Sequence, residues 1–214
     1  MANCEPAGTP GFGSELSTKH LEEMLLSKEE TQRCQAISGS VMYLAQILKY
    51  DIMYSSGQIT RALWRPAKVH MGEAKHLLRY LAGTTDFTIV YKKRVFKLTA
   101  FSDLNWGKNP DNVNSTSRYI MMLSWAPASF KSGVQSLTGM STMEANLVAS
   151  AELVASALAM KEAVFCSNML TELGFGKEFE QVPLHIDNTA TLHVIDNRAF
   201  SSRTKHIATF LLHS

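Results

Sequence analysis

Three carboxylates stand in this chain where short apolar runs end or a helical pattern begins. Asp103 closes the strand-like run FKLTAFSD, Asp187 closes a second one, VPLHID, and Glu144 opens the helical pattern STMEANLV. Carboxylates at strand ends and at a helix start can converge on one point, and their oxygens suit hard divalent cations such as Mg2+ or Mn2+. A cation held this way activates water and polarises a phosphate, which is the chemistry of phosphodiester hydrolysis. Each residue also has a plainer explanation. Asp103 can close a local turn through its own side chain. Ser141 to Glu144 is a capping box in its own right, and Asp187 with Asn188 can cap the helical run TATLHVI.

The elements that must position these residues follow from hydrophobic period and punctuation. Ser27 and Glu30 form an S-x-x-E capping box, which predicts a helix start at Ser27 with Ile37, Val41, Leu44, Ala45 and Leu48 on one face. A second helical stretch runs from Asp51 towards Trp64 and is ended by Pro66. A third covers Ala67 to Leu81, with Leu77, Leu78 and Leu81 inward, Lys68, Lys75 and Arg79 outward, and Gly83 as its stop. Residues 27–86 therefore predict a small basic helical unit. Residues 1–26, with the stretch EPAGTPGFGS, predict a loose lead-in without a long regular element.

From residue 87 the period changes. FTIVY (Phe87 to Tyr91), FKLTAF (Phe96 to Phe101), RYIMML (Arg118 to Leu123) and ASFKS (Ala128 to Ser132) are strand-like. A long helix is predicted over about Thr142 to Leu173, punctuated by Gly174; VPLHID is a short strand and TATLHVI a short helix. The long helix carries a tandem copy: ANLVAS (Ala145 to Ser150) is followed by AELVAS (Ala151 to Ser156), identical at five of six positions. A solenoid repeat is several-fold longer. Six extra helical residues turn everything downstream by roughly 240° and add about 9 Å, so one end of the helix must move.

Composition sets the class. With 45% hydrophobic and 19% charged residues in 214, the chain is globular in type and holds one domain or two small ones. No apolar run approaches the roughly 18 residues of a membrane span. The first residues lack the basic-then-apolar order of a secretory signal. Cys4, Cys34 and Cys166 are odd in number and form neither a zinc spacing nor a disulfide framework, which predicts a reducing, intracellular setting, cytoplasmic or nuclear. The net charge of +2 hides an asymmetry: residues 49–97 carry ten Lys/Arg against three Asp/Glu, and residues 99–214 carry eight against ten. Cations for a phosphate backbone beside carboxylates for a metal suit a nucleic-acid enzyme. An ordinary solvated helix face gives the same counts.

The chain resembles the C-terminal part of the polyprotein of copia-type LTR retrotransposons, where the tail of the reverse transcriptase is followed by RNase H. The likeness runs from about Gly11 to Ile207. GSVMYLAQILKYDIMY and AKHLLRYLAGT match the helical segment after the polymerase core; FSDLNW, NSTSRYI, SFKS, MSTMEA, HIDNTATLHVI and SSRTKHI match successive RNase H motifs in order. The resemblance implies an α/β, RNase H-like mixed sheet flanked by helices over residues 87–214, preceded by the helical tail. It implies metal ligation by Asp103, Glu144 and Asp187, with Mg2+ or Mn2+ as cofactor. The implied partner is an RNA–DNA hybrid whose RNA strand is cut by two metal ions, beside other parts of a retrotransposon polyprotein and with no membrane. Asn188, Arg203, Lys205 and His206 are the implied contacts to nucleic acid.

Departures from the pattern carry their own expectations. Aligned from the helix start, Glu144 is the second ligand. Aligned backwards from KEAVFCSNMLTELGF, that position falls on Ser150, with Glu152 its neighbour. The last strand and the helix bearing a fourth carboxylate lie beyond Ser214, which predicts an RNase H-like domain incomplete at its C-terminus. Asn105 and Arg118 replace an Asp and a Gly, and Arg118 puts a large cation into a strand pair. Together these predict weak or absent cleavage, with non-catalytic nucleic-acid binding, or a transposon remnant without selected function, as the alternatives.

Overall fold

The computed structural model describes residues 4–13, 16–92, 96–105, 111, 114–135, 144–175, 179 and 181–187, with backbone only for 144–150. The chain divides into two compact units. The first comprises Met1–Thr88 with Lys108–Val113, and the second Ile89–Gly107 with Asn114–Ser214.

The first unit is built on three helices, α1 (Lys28–Ile47), α2 (Met53–Thr60) and α3 (Lys68–Gly83). The capping box forms in full at the start of α1: Glu30 N–H donates to Ser27 Oγ at 3.3 Å and Ser27 N–H to Glu30 Oε2 at 3.0 Å. The buried face of α1 is Cys34, Ser38, Val41 and Ala45; Ile37 and Leu44 flank it, and Leu48 is exposed rather than inward. The predicted second helix is shorter than its pattern. Regular α-geometry ends at Thr60, and turns carry the chain on to Pro66. In α3, Leu77 is fully buried, joined by Ala74 and Tyr80 in the core.

Among its described residues the lead-in has no long regular element, only the single turn Glu22–Met24, but it is tied down at several points. Arg79 Nε donates to the Glu5 carbonyl at 2.7 Å, Phe12 N–H donates to Glu73 Oε1 at 3.2 Å, and Leu16 N–H donates to Gln58 Oε1 at 3.2 Å. Leu16 is buried in the helical core. A Cβ on Gly11 would lie 2.6 Å from both Glu73 Oε1 and Ser55 Oγ, so a larger residue there would have to displace those side chains. This docking also occupies cations counted above as a basic face. Arg61 donates to the Leu16 carbonyl, Arg65 pairs with Glu22 at 2.5 Å, and Arg79 holds Glu5.

The second unit is α/β. Strands β1 (Leu98–Asn105), β2 (Thr116–Leu123), β3 (Ala126–Val134) and β4 (Leu184–Ile186) form one sheet in the order β3-β2-β1-β4. The first three are antiparallel neighbours, and β4 lies parallel to β1. The hairpin between β2 and β3 turns on Ser124 and Trp125, both at positive φ (53° and 66°), as the twist of a two-residue loop demands. Helix α4 (Glu144–Leu170) packs on the sheet through Ala159, Ala163, Cys166 and Leu170, which meet Leu98, Ala100, Met121 and Phe179. Alanines on the contact face let the helix axis come close to the strands. The helix passes into a wider turn, Thr171–Phe175, and Gly174 at φ 89° ends it. An antiparallel trio followed by a helix and a parallel fourth strand is the mixed sheet expected of an RNase H-like core.

Two expectations are corrected. FTIVY is not a strand: residues 87–91 pair with none, and Phe87, Val90 and Tyr91 are exposed. The segment is tied instead by Lys92 N–H to the Ser124 carbonyl and Tyr91 Oη to the Pro127 carbonyl. Second, the segment Ala151–Phe175 is long and apolar enough to cross a membrane by length and composition. Its burial against the sheet gives that apolarity another cause. The predicted helix over residues 189–195 lies outside the described residues.

Candidate metal and nucleic-acid site

β1 and β4 bring two of the carboxylates side by side. Their parallel register pairs Phe101 with His185 and Ser102 with Ile186, and one residue further on stand Asp103 and Asp187. Alternation along the strands assigns Leu98, Ala100 and Ser102 to the buried face and Phe101 and Asp103 to the exposed one. The Phe101 and His185 rings stack at 4.8 Å with 18° between planes, which holds β4 in this register immediately before Asp187.

A further carboxylate, Glu152, lies near them. It is 3% exposed, and its Oε1 has no hydrogen-bond partner among the described residues. Burial, and then the charges of Asp187 and Asp103, together push its pKa up to about 7. Glu152 therefore lies within electrostatic reach of both strand-end aspartates. Gln135 fixes it along the helix axis. This buried amide donates to the Ala151 carbonyl at 2.8 Å and to Ser117 Oγ at 2.5 Å, while its N–H donates to the Ser115 carbonyl at 2.8 Å. A second tie sits lower on α4, where Ser129 Oγ donates to Glu162 Oε1 at 2.6 Å and burial beside Glu162 pushes the Tyr119 phenol up to about 12.

Glu144 opens α4, and its side chain lies outside the described residues. Helix geometry separates its Cα from that of Glu152 by about 12 Å along the axis and about 80° around it. Ser150 is likewise described by backbone only; its Cα stands about 200° around the helix from that of Glu152. Asn188, Arg203, Lys205 and His206 lie outside the described residues, as does the Ser141 end of the alternative capping box. The signal for Glu152 was in the duplication: the two copies differ at a single position, where Asn146 of the first is Glu152 of the second.

Two features temper the site. Arg118 faces Asp103 across the β1–β2 pair, Nη1 to Oδ2 at 3.6 Å. And no three His, Cys, Asp or Glu side chains among the described residues stand close enough together to hold a metal ion as they are. Glu152 nonetheless keeps a buried carboxylate oxygen without a hydrogen-bond partner among the described residues.

No family model matches the chain, and no solved structure matches it. Curated relatives do. Over 97% of its length the chain is 32% identical to the retrovirus-related Pol polyprotein from transposon RE2 of Arabidopsis thaliana and 34% identical to that from transposon RE1 of the same plant. It is 29% identical over 97% of its length to the retrovirus-related Pol polyprotein from transposon TNT 1-94 of Nicotiana tabacum. The chain spans 14% of each Arabidopsis polyprotein and 15% of the tobacco one.

Proposed function

Because the chain belongs with the Pol polyproteins of copia-type retrotransposons, we propose that its second unit is an RNase H-like domain that binds a divalent cation and the RNA strand of an RNA–DNA hybrid, with little or no cleavage. The observation that carries this reading is Glu152: a buried carboxylate with an unpartnered oxygen, electrostatically coupled to aspartates at the ends of two adjacent strands. A buried acid so placed weakens its own fold unless a positive charge joins it.

Asp103, Glu152 and Asp187 are the residues that hold the cation in this account. When bound, Mg2+ or Mn2+ supplies Lewis acidity and an activated water for phosphodiester hydrolysis. Asp103 and Asp187 present their oxygens on the exposed side, where a nucleic-acid backbone can approach. Glu152 contributes from the protein interior, held by Gln135 and the sheet behind it. The hybrid is recognised through backbone shape and the 2′-hydroxyl rather than sequence. Weak turnover follows from the ion pair that Arg118 makes with Asp103 and from carboxylates that do not close into a ready cage. A non-catalytic binding surface on the basic helices is less well supported, since Arg61, Arg65 and Arg79 are engaged with the lead-in.

The test is incubation of the purified chain with a labelled RNA–DNA hybrid in Mg2+ or Mn2+, beside Asp103→Asn. The account expects metal-dependent hybrid binding with cleavage near background. Robust cleavage by the natural chain that disappears in Asp103→Asn would overturn the assignment of weak turnover; absence of metal-dependent binding would overturn the site.

A further inference from the structure

We propose that residues 16–20 of the lead-in are an acid-released strap on the first unit, with His70 of α3 as the catch that holds it.

The strap is held largely through its own backbone. Leu16 is buried among the three helices; its N–H donates to Gln58 Oε1 at 3.2 Å and its carbonyl accepts from Arg61. The Ser17 carbonyl meets two imidazoles, His70 Nε2 at 3.0 Å and His20 Nε2 at 2.8 Å, whose rings stand edge to face 5.1 Å apart. Asp111 accepts the Ser17 hydroxyl at 2.5 Å and the Thr18 N–H at 2.6 Å, and its carbonyl accepts from Lys19 Nζ at 3.3 Å. All these residues belong to the first unit.

His70 is fully buried, and both of its ring nitrogens are engaged. Nδ1 accepts the N–H of Ala67, the N-cap of α3, at 3.0 Å, so it carries no proton. The ring proton therefore sits on Nε2 and is donated to Ser17. Only the neutral ring in this tautomer makes both bonds. A second proton can enter only at Nδ1. There it meets the Ala67 N–H, breaks the bond that caps α3 and leaves a charge buried. Nε2 already points at Ser17, so the charged ring reaches water by displacing the strap.

The surrounding groups set the sign. Burial and then His20 hold the His70 pKa below 6.5, against the Ser17 carbonyl and the Asp111 charge. The released ring binds a proton more tightly than the docked one, so docking is complete above pH 6.5 and weakens as the pH falls below it. Glu73, farther along α3, works in the opposite sense. Burial pushes its carboxyl up, and Oε1 accepts the Phe12 N–H at 3.2 Å, so acid favours the docked state there. Opening is thus local to residues 16–20, with the chain before them anchored at Phe12.

The experiment is amide hydrogen exchange of the full-length chain from about pH 7.5 to 5.5, corrected for the intrinsic rate at each pH, in the natural protein, His70→Gln and His20→Gln. Glutamine at the third helical position keeps the bond to the N-cap N–H, as in an ordinary capping box, and does not titrate. Protection at the Leu16 and Thr18 amides is expected to fall on the order of tenfold across this range in the natural protein and in His20→Gln. Phe12 keeps its protection, and His70→Gln shows no such fall. The same fall in His70→Gln, or its loss in His20→Gln, makes another group the sensor and overturns the inference. Nitrogen NMR of the natural protein's imidazoles tests it without any variant. The expected spectrum has the His70 proton on Nε2 near neutral pH, with ring protonation in step with the loss of Leu16 protection. A proton on Nδ1, or a His70 ring that protonates while Leu16 and Thr18 stay protected, overturns the inference as well.

Discussion

Replacing Glu152 by Gln stabilises the metal-free second unit by about 3 kcal/mol at pH 8 and leaves it unchanged near pH 4.5. The pKa of Glu152 is raised from 4.5 to about 7, first by burial and then by Asp187 and Asp103. The folded state therefore keeps a proton that the unfolded chain has already released. Its contribution to stability is complete below the unfolded pKa of 4.5 and is lost as the pH rises through about 7. At about 1.4 kcal/mol per pKa unit the loss comes to about 3 kcal/mol. Glutamine keeps the shape and carries no charge, so it escapes the loss. Other groups titrate in the same range, and comparing the two proteins at each pH cancels them. The readout is amide hydrogen exchange in β1 and α4, which reports on this unit alone. Exchange at pH 8 is expected to be roughly a hundredfold slower in the variant. Stability profiles that run parallel from pH 4.5 to 8 would show that Glu152 is not buried against like charge.

The second large effect is at the other end of the same helix. Phe179 is 1% exposed and closes the core formed by Leu98, Ala100, Met121, Ala159 and Leu170. Its ring meets Phe96 edge-on at 4.9 Å, and its carbonyl accepts a hydrogen bond from Ser167 Oγ of α4 at 2.6 Å. Phe179→Ala removes that ring without letting the surrounding strands collapse, at a cost of about 3–5 kcal/mol. A domain of this size has about 5–15 kcal/mol in total. The variant is expected to lose most hydrogen-exchange protection in β1 and α4 at neutral pH. Since α4 carries Glu152 and β1 carries Asp103, any residual metal binding should fall with it. Unchanged protection in those elements would mean that Phe179 does not anchor the helix to the sheet.

Much of this fold was legible because local signals agreed with tertiary packing. The Ser27–Glu30 box, Pro66 and Gly174 punctuate the chain where the helices change. The apolar runs ending at Asp103 and Asp187 lie in β1 and β4, which pair side by side in the sheet. Other features were hidden for physical reasons. FTIVY alternates like a strand, yet a strand needs a partner, and the sheet offers it none. The lead-in reads as loose because its own residues form no regular element; its order comes from donors and acceptors on α2 and α3 that no local pattern reveals.

The second carboxylate was the hardest to read. The capping pattern before Glu144 and the duplicated hexapeptide after it give two registers for one helix. Packing sets the helix itself: Ala159, Ala163 and Cys166 fix the rotation of α4, and Gln135 fixes its height at Ala151. Those contacts set Glu152 within electrostatic reach of the aspartates. The one substitution that separates the copies, Asn146 against Glu152, was visible in the sequence. Its meaning depended on the packing. Arg118 was visible as an intruding charge, but its partner emerged only from the β1–β2 register.

The central claim, that Glu152 rather than Glu144 completes the carboxylate set with Asp103 and Asp187, is tested most directly by Mn2+ titration of Glu152→Gln and Glu144→Gln in the full-length chain. The account predicts that Glu152→Gln weakens Mn2+ binding on the order of a hundredfold, while Glu144→Gln binds as the natural protein does. The reverse pattern, binding lost in Glu144→Gln and kept in Glu152→Gln, would contradict it.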